Sequence, residues 1–203
     1  MKLFRKRPTE EQQLHQLMQA IEAGEQETVA QLIERNPALK DRSNEYGMTP
    51  LLYAIYRNQP ALLQLLLEAG ASTRPHDPQS GNPLTLAVLE NQPENVDILL
   101  QHRAAVDQVD RYGATPLMYA VQHGRQNIAE ALMQAGANLE ARDAEGDTVL
   151  MYALNHNQPD MLRLLLERGA DPRARNFDNQ DAYDKAFTQE MQGVLKEYWE
   201  EEE

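Results

Sequence analysis

Thr115–Ala137 reads TPLMYAVQHGRQNIAEALMQAGA, and Thr49–Ala71 reads TPLLYAIYRNQPALLQLLLEAGA. The two stretches begin 66 residues apart, twice a period of 33 that runs through most of the chain. Stepping by 33 from Asn44 gives Asp77, Asp110, Asp143 and Asn176, and from Ala54 gives Ala87, Ala120, Ala153 and Ala186. A third column holds Thr49, Asn82, Thr115, Thr148 and Asp181, and a fourth holds Leu51, Leu84, Leu117, Leu150 and Tyr183. A fixed period of this length without insertions marks a repeated supersecondary unit, so the fold is read one unit at a time.

Each unit opens with an Asx and a Gly, residues that bond their own backbone or take positive φ in turns. Thr followed by Pro then suits a helix N-cap and first helical position. The second helix is more apolar: LLQLLL, NVDILL, IAEALM and MLRLLL occupy equivalent places. Apolar residues at i, i+1, i+3, i+4 and i+5 form a face too wide for an isolated surface helix and suited to one packed between neighbours. Gly70, Gly136 and Gly169 follow as left-handed helix ends, with Arg103 in the second unit. The tripeptide NQP, at Asn58, Asn91 and Asn157, falls where other units have Gly24 and Gly124. Asn and Gly share a tolerance of left-handed φ, so NQP reads as the hinge between two antiparallel helices rather than as a binding element.

Turn, short helix, tight hinge, second helix and loop, with TPL at the start and LLL-x-x-GA near the end, resembles the ankyrin repeat family over about residues 14 to 198. The resemblance implies an all-α solenoid of stacked antiparallel helix pairs. Four full repeats are expected at 44–76, 77–109, 110–142 and 143–175, between capping repeats at 14–43 and 176–198. A flexible basic segment, 1–13, precedes them and an acidic tail, 199–203, follows. Leu52, Thr85, Met118 and Met151 stand where the family has a histidine after TPL, so the bond that histidine makes between turns must be absent or replaced. Val149 replaces a Pro and Ser80 a turn Gly. RPHDPQSGNP, Arg74 to Pro83, should hold the most irregular turn.

Composition limits the chemistry. With 41% apolar and 25% charged residues the chain reads as globular. Without cysteine it has neither disulfides nor thiolate ligands. The N-terminus MKLFRKRP lacks the apolar run of a secretory signal, and no window approaches the ~18 apolar residues of a membrane span. A cytoplasmic location is expected. The net charge of −13 repels nucleic acid and anionic membranes and attracts basic partners. Arg5, Lys6 and Arg7 form too short a run to read as a nucleic-acid arm. Among His15, His76, His102, His123 and His156, only His123 and His156 share a register. Equivalent helices lie roughly 10 Å apart, too far for two side chains to share a zinc easily. No phosphate-loop, zinc-protease or nucleophile-elbow string occurs. Neither catalysis nor a cofactor or metal is expected.

The resemblance implies partner contact through the concave face, by turn tips and the ends of first helices. Carried onto this sequence, the tips are Glu45, Tyr46 and Met48, then Arg111, Tyr112 and Ala114, then Ala144, Glu145 and Asp147. The helix ends add Tyr56, Arg57, Leu89, Glu90, Gln122, His123, Asn155 and His156. Tyr46, Tyr56, Arg57, Arg111 and Tyr112 lead, because aromatic residues and Arg dominate binding hot spots. Tyr53, Tyr119 and Tyr152 should pack between repeats, their hydroxyls reaching solvent or a backbone partner. The expected function is a scaffold or adaptor, monomeric by itself, binding another protein. The alternative is an acidic inhibitor of the immunity or antitoxin type that blocks a basic enzyme.

Overall fold

Thr49 and Thr115 show why a helix starts once per period. Each lies in extended backbone, and its Oγ1 accepts from the N–H three residues on, at 3.3 Å from Leu52 and from Met118. A Pro follows at the first helical position, where its missing N–H costs nothing. Asn82 caps its helix through Leu84 at 2.9 Å. Met118 completes the cap from the other side: its Sδ accepts from the Thr115 N–H at 3.4 Å. A thioether at the register where the resemblance led to a histidine thus joins the local cap. Thr148, read from the sequence as a cap, does not act as one. Its backbone is extended, but its Oγ1 is buried without a hydrogen-bond partner.

The computed structural model describes residues 8–74 and 82–199, excluding the side chain of Trp199. The expected irregular turn at Arg74 to Pro83, with His76, Asp77 and Ser80, lies almost wholly outside the described residues, as do Arg5, Lys6, Arg7 and residues 200–203. The described chain is all-helical and contains no strand. No described helix is long and apolar enough to cross a membrane.

Two units divide at Ala104 and Ala105. The first holds α1 (Glu10–Ala23), α2 (Gln26–Arg35), a 3-10 turn (Pro37–Asp41), α3 (Pro50–Tyr56), α4 (Pro60–Glu68), α5 (Pro83–Leu89) and α6 (Pro93–Gln101). In it, α3 packs on both α1 and α5, while α4 packs on α2 and α6. The second unit holds α7 (Pro116–Gln122), α8 (Gln126–Gln134), α9 (Val149–Asn155), α10 (Pro159–Glu167) and α11 (Gln189–Trp199). There α7 packs on α8 and α9, and α10 on α9 and α11. Within the first unit, first helices therefore line up with first helices and second with second; in the second unit α7 lines up with α9 and α10 with α11.

The hinges are left-handed, as their residues require. Asn58, Asn91 and Asn157 have φ of 50°, 54° and 52°, and Gly24 and Gly124 have 74° and 63°. After each hinge the chain turns back to bond the repeated alanine: Gln59, Gln92, Arg125 and Gln158 donate their N–H to the carbonyls of Ala54, Ala87, Ala120 and Ala153 at 2.8–3.0 Å. Those alanines are fully buried. The glutamine of NQP does more than follow the hinge. Gln92 Nε2 donates 2.9 Å to the Ile55 carbonyl of the preceding helix pair, and its Oε1 accepts from Asn95 at 2.7 Å. At Asn91–Pro93, NQP is thus a hinge whose second residue clamps one pair to the preceding one.

A second ladder joins the loops that follow the second helices. Asp41, Asp107 and Glu140 each accept a backbone N–H from the loop one period later, from Ser72, Asn138 and Asp171 at 2.7, 3.0 and 2.9 Å. Part of the negative charge is therefore structural.

The two ends correct the sequence reading. Thr9 and Gln12 form a reciprocal capping box, and α1 begins at Glu10, so residues 10–13 are helical rather than part of a flexible basic segment. At the other end the first helix of the expected cap is not formed. Residues 182–185 make only a turn before α11, whose Met191, Val194 and Leu195 are buried.

Candidate protein-interaction surface

Each described turn is built around its Asx side chain. Asn44 Oδ1 accepts from the N–H groups of Tyr46 and Met48 at 2.9 and 3.0 Å, and Asp110 Oδ1 does the same for Tyr112 and Ala114 at 2.9 and 3.1 Å. Asp143 and Asn176 repeat the pattern two and four residues ahead. One oxygen thereby satisfies two donors that would otherwise be stranded in the turn.

The second carboxylate oxygen binds a tyrosine. Tyr119 donates to Asp110 Oδ2 at 2.6 Å and Tyr152 to Asp143 Oδ2 at 2.8 Å. The expectation of solvent or backbone partners is corrected, because the hydroxyl reaches the carboxylate that shapes the turn of its own repeat. Burial, and then the acceptor carboxylate, pushes Tyr119 up to about 12 and raises Tyr152 further. Both hydroxyls stay protonated donors at neutral pH. Tyr53 is raised by burial and then by Glu22.

With these groups turned inward, other residues reach solvent. In the first unit Tyr46 is 80% exposed, Glu45 is exposed and Met48 is half-buried. Tyr56 and Arg57 are exposed at the end of α3, the Tyr56 ring stacking on Tyr53 at 6.4 Å and Arg57 pairing with Glu22 at 3.4 Å. Leu89 and Glu90 are exposed at the end of α5.

In the second unit the Arg111 guanidinium lies 4.7 Å from the centroid of the Tyr112 ring, both exposed. The turns are tied tip to tip by backbone: Ala144 N–H donates to the Tyr112 carbonyl at 2.9 Å, and Phe177 N–H to that of Glu145 at 3.1 Å. Gly113 permits the first approach, since a Cβ there would lie 3.0 Å from Ala144 N at a φ of 74°. Ala144 and Glu145 are exposed, Gln122 is half-buried, and His123, Asn155 and His156 are exposed at the helix ends. The His156 ring stacks on Tyr152 at 6.0 Å, and its Nδ1 bonds the Tyr152 carbonyl at 3.0 Å. Burial, then Arg125 and His156, hold His123 below its ordinary value.

Asp147 is the clearest correction. It is buried, its Oδ1 accepting from Asn176 at 2.7 Å and its Oδ2 from Lys185 at 2.6 Å and Asn155 at 3.0 Å. A fully occupied carboxylate cannot serve as an exposed contact, and the same inward register makes Ala114 buried. Asn155 is exposed but has its amide committed to Asp147. The sequence reading missed Phe177, 72% exposed at the next tip. Its register was available, one period after Ala144 and two after Arg111.

Among the described residues, no three of His, Asp and Glu gather as metal ligands.

A sequence model of ankyrin repeats (3 copies) matches residues 5–77 and 84–176. The crystal structure of an ankyrin repeat protein superposes with a TM-score of 0.81 at 23% identity, covering 91% of this chain and 98% of that one. An ankyrin repeat domain from Acinetobacter baumannii AYE gives a TM-score of 0.82 at 25% identity, covering 90% and 97%. No match to a functionally curated protein is found.

Proposed function

The chain belongs to the ankyrin repeat family, whose members are generally non-catalytic protein-interaction modules, and from that premise we propose that it is an adaptor. In this reading it works as a monomer and captures a protein partner through its turn tips and first-helix ends. One observation carries the proposal: the Asx groups at the turns are spent on internal bonds, while Tyr46, Arg111, Tyr112 and Phe177 are left in solvent. A ring exposed on a turn fixed by several hydrogen bonds loses little freedom on binding, which favours a hot spot.

The mixed character of the tips, aromatic and cationic with Glu45 and Glu145, supports an adaptor over an acidic plug for a basic enzyme. Replacing Arg111 and Tyr112 together by Ala should weaken capture of the partner from the native cell by more than about tenfold. The melting curve should hardly change, because both side chains are exposed. Undiminished capture would remove the tips from the binding surface.

A further inference from the structure

Two registers of the first helix are closed to solvent in every complete pair. Leu51, Leu84, Leu117 and Leu150 are at most 1% exposed, and so are Ile55, Val88, Val121 and Leu154. One period later the same registers hold Tyr183 and Phe187, which are 40% and 78% exposed. Their segment forms only a turn, held by Lys185 N–H to the Asp181 carbonyl at 3.3 Å and Ala186 N–H to that of Tyr183 at 3.2 Å. Tyr183 lies inside that turn, and Phe187 follows just after it. Two aromatic rings thus open to water at positions that the fold elsewhere always covers.

The surrounding charge indicates what would cover them. Lys185 points inward to Asp147, and Arg175 is committed to Asp181 at 2.8 Å and to the Asn179 carbonyl at 2.7 Å. Asp178, Asp184 and Glu190 are exposed in the same segment. Exposed rings among exposed carboxylates fit apolar residues flanked by Lys or Arg. A second copy of the chain would set these carboxylates against themselves and bring together two molecules of net charge −13.

We propose that Tyr183 and Phe187 form a second docking surface, separate from the turn tips, for a basic amphipathic helix of another protein. The test titrates the full chain with a helical peptide of leucine and lysine about four turns long, and with its leucine and glutamate counterpart. Amide NMR signals of residues 181–190 report binding. The basic peptide should shift these signals, and Phe187→Ser should weaken it about tenfold. Asp184→Asn, which keeps the oxygen that accepts from Asp181, should weaken it less. Binding should survive replacement of Arg111 and Tyr112 by Ala.

Equal binding to Phe187→Ser would reduce the effect to general charge attraction and overturn the proposal. So would equal binding of the acidic peptide, shifts confined to the turn tips, or the absence of binding. Dimers in sedimentation that Phe187→Ser dissolves would overturn it in favour of a second copy.

Discussion

The two ends of the chain meet the same problem differently. At the N-terminal end α1 is complete: Leu14, Leu17, Met18 and Ile21 turn inward, while Glu11, His15, Gln16 and Gln19 face water. At the C-terminal end the corresponding helix shrinks to a turn, Tyr183 and Phe187 face water, and polar bonds fasten the segment. Lys185 and Asn176 both converge on Asp147. The first end is sealed by apolar burial under a polar cover. The second depends more on a buried ion pair and leaves aromatic surface open.

Breaking the ion pair should have the largest effect. Lys185→Ala leaves the buried Asp147 without its cation, at a cost of about 4 kcal/mol, and hydrogen exchange should show the loss concentrated after residue 143. A loss below about 1 kcal/mol in urea titration would mean that apolar packing holds this end as well. Leu17→Ala, fully buried in α1, should cost about 3 kcal/mol, with protection lost first in α1 and α2.

Hydroxyl caps sharpen the contrast within the second unit. Thr115→Val removes a formed cap and should cost about 1 kcal/mol. Thr148→Val removes a buried hydroxyl that bonds nothing and should be neutral or slightly stabilising in the same urea titration. Equal losses would give Thr148 a bond that the structure lacks.

A comparable effect is alkaline. Tyr119 is raised from 10.0 to about 12, so its contribution is complete below pH 10 and fades as pH rises through 12. Tyr119→Phe should lose about 1 kcal/mol at pH 8. Its urea midpoint should then fall less than that of the parent chain between pH 10 and 12.

Much of this fold could be read from the chain because its determinants are local. A Thr-Pro pair, an Asx two or four residues before the amides it accepts, and Asn or Gly at positive φ act over a few residues and return every 33. The exposed rings of Tyr46, Tyr56 and Tyr112 were legible for the same reason, since residues at turns and helix ends have few neighbours to cover them. Phe177 was missed because its repeat was taken as a cap, although its register marked it as a tip. Asp147 was misread because its composition, an acid at a turn, does not reveal that Lys185 lies opposite it, 38 residues later.

The sequence by itself determined the period, the helix pairs, the hinge residues and the tips, all consequences of local backbone preference repeated in register. The tertiary structure alone decided which polar groups are consumed. Gln92 reaches back to Ile55, Tyr119 and Tyr152 tie down their turns, and Asp147 binds three partners. Only it could show that Tyr183 and Phe187 stay open where their counterparts are sealed. Burial and hydrogen bonding depend on which neighbour stands across a gap, and that distance exists only after the chain has folded.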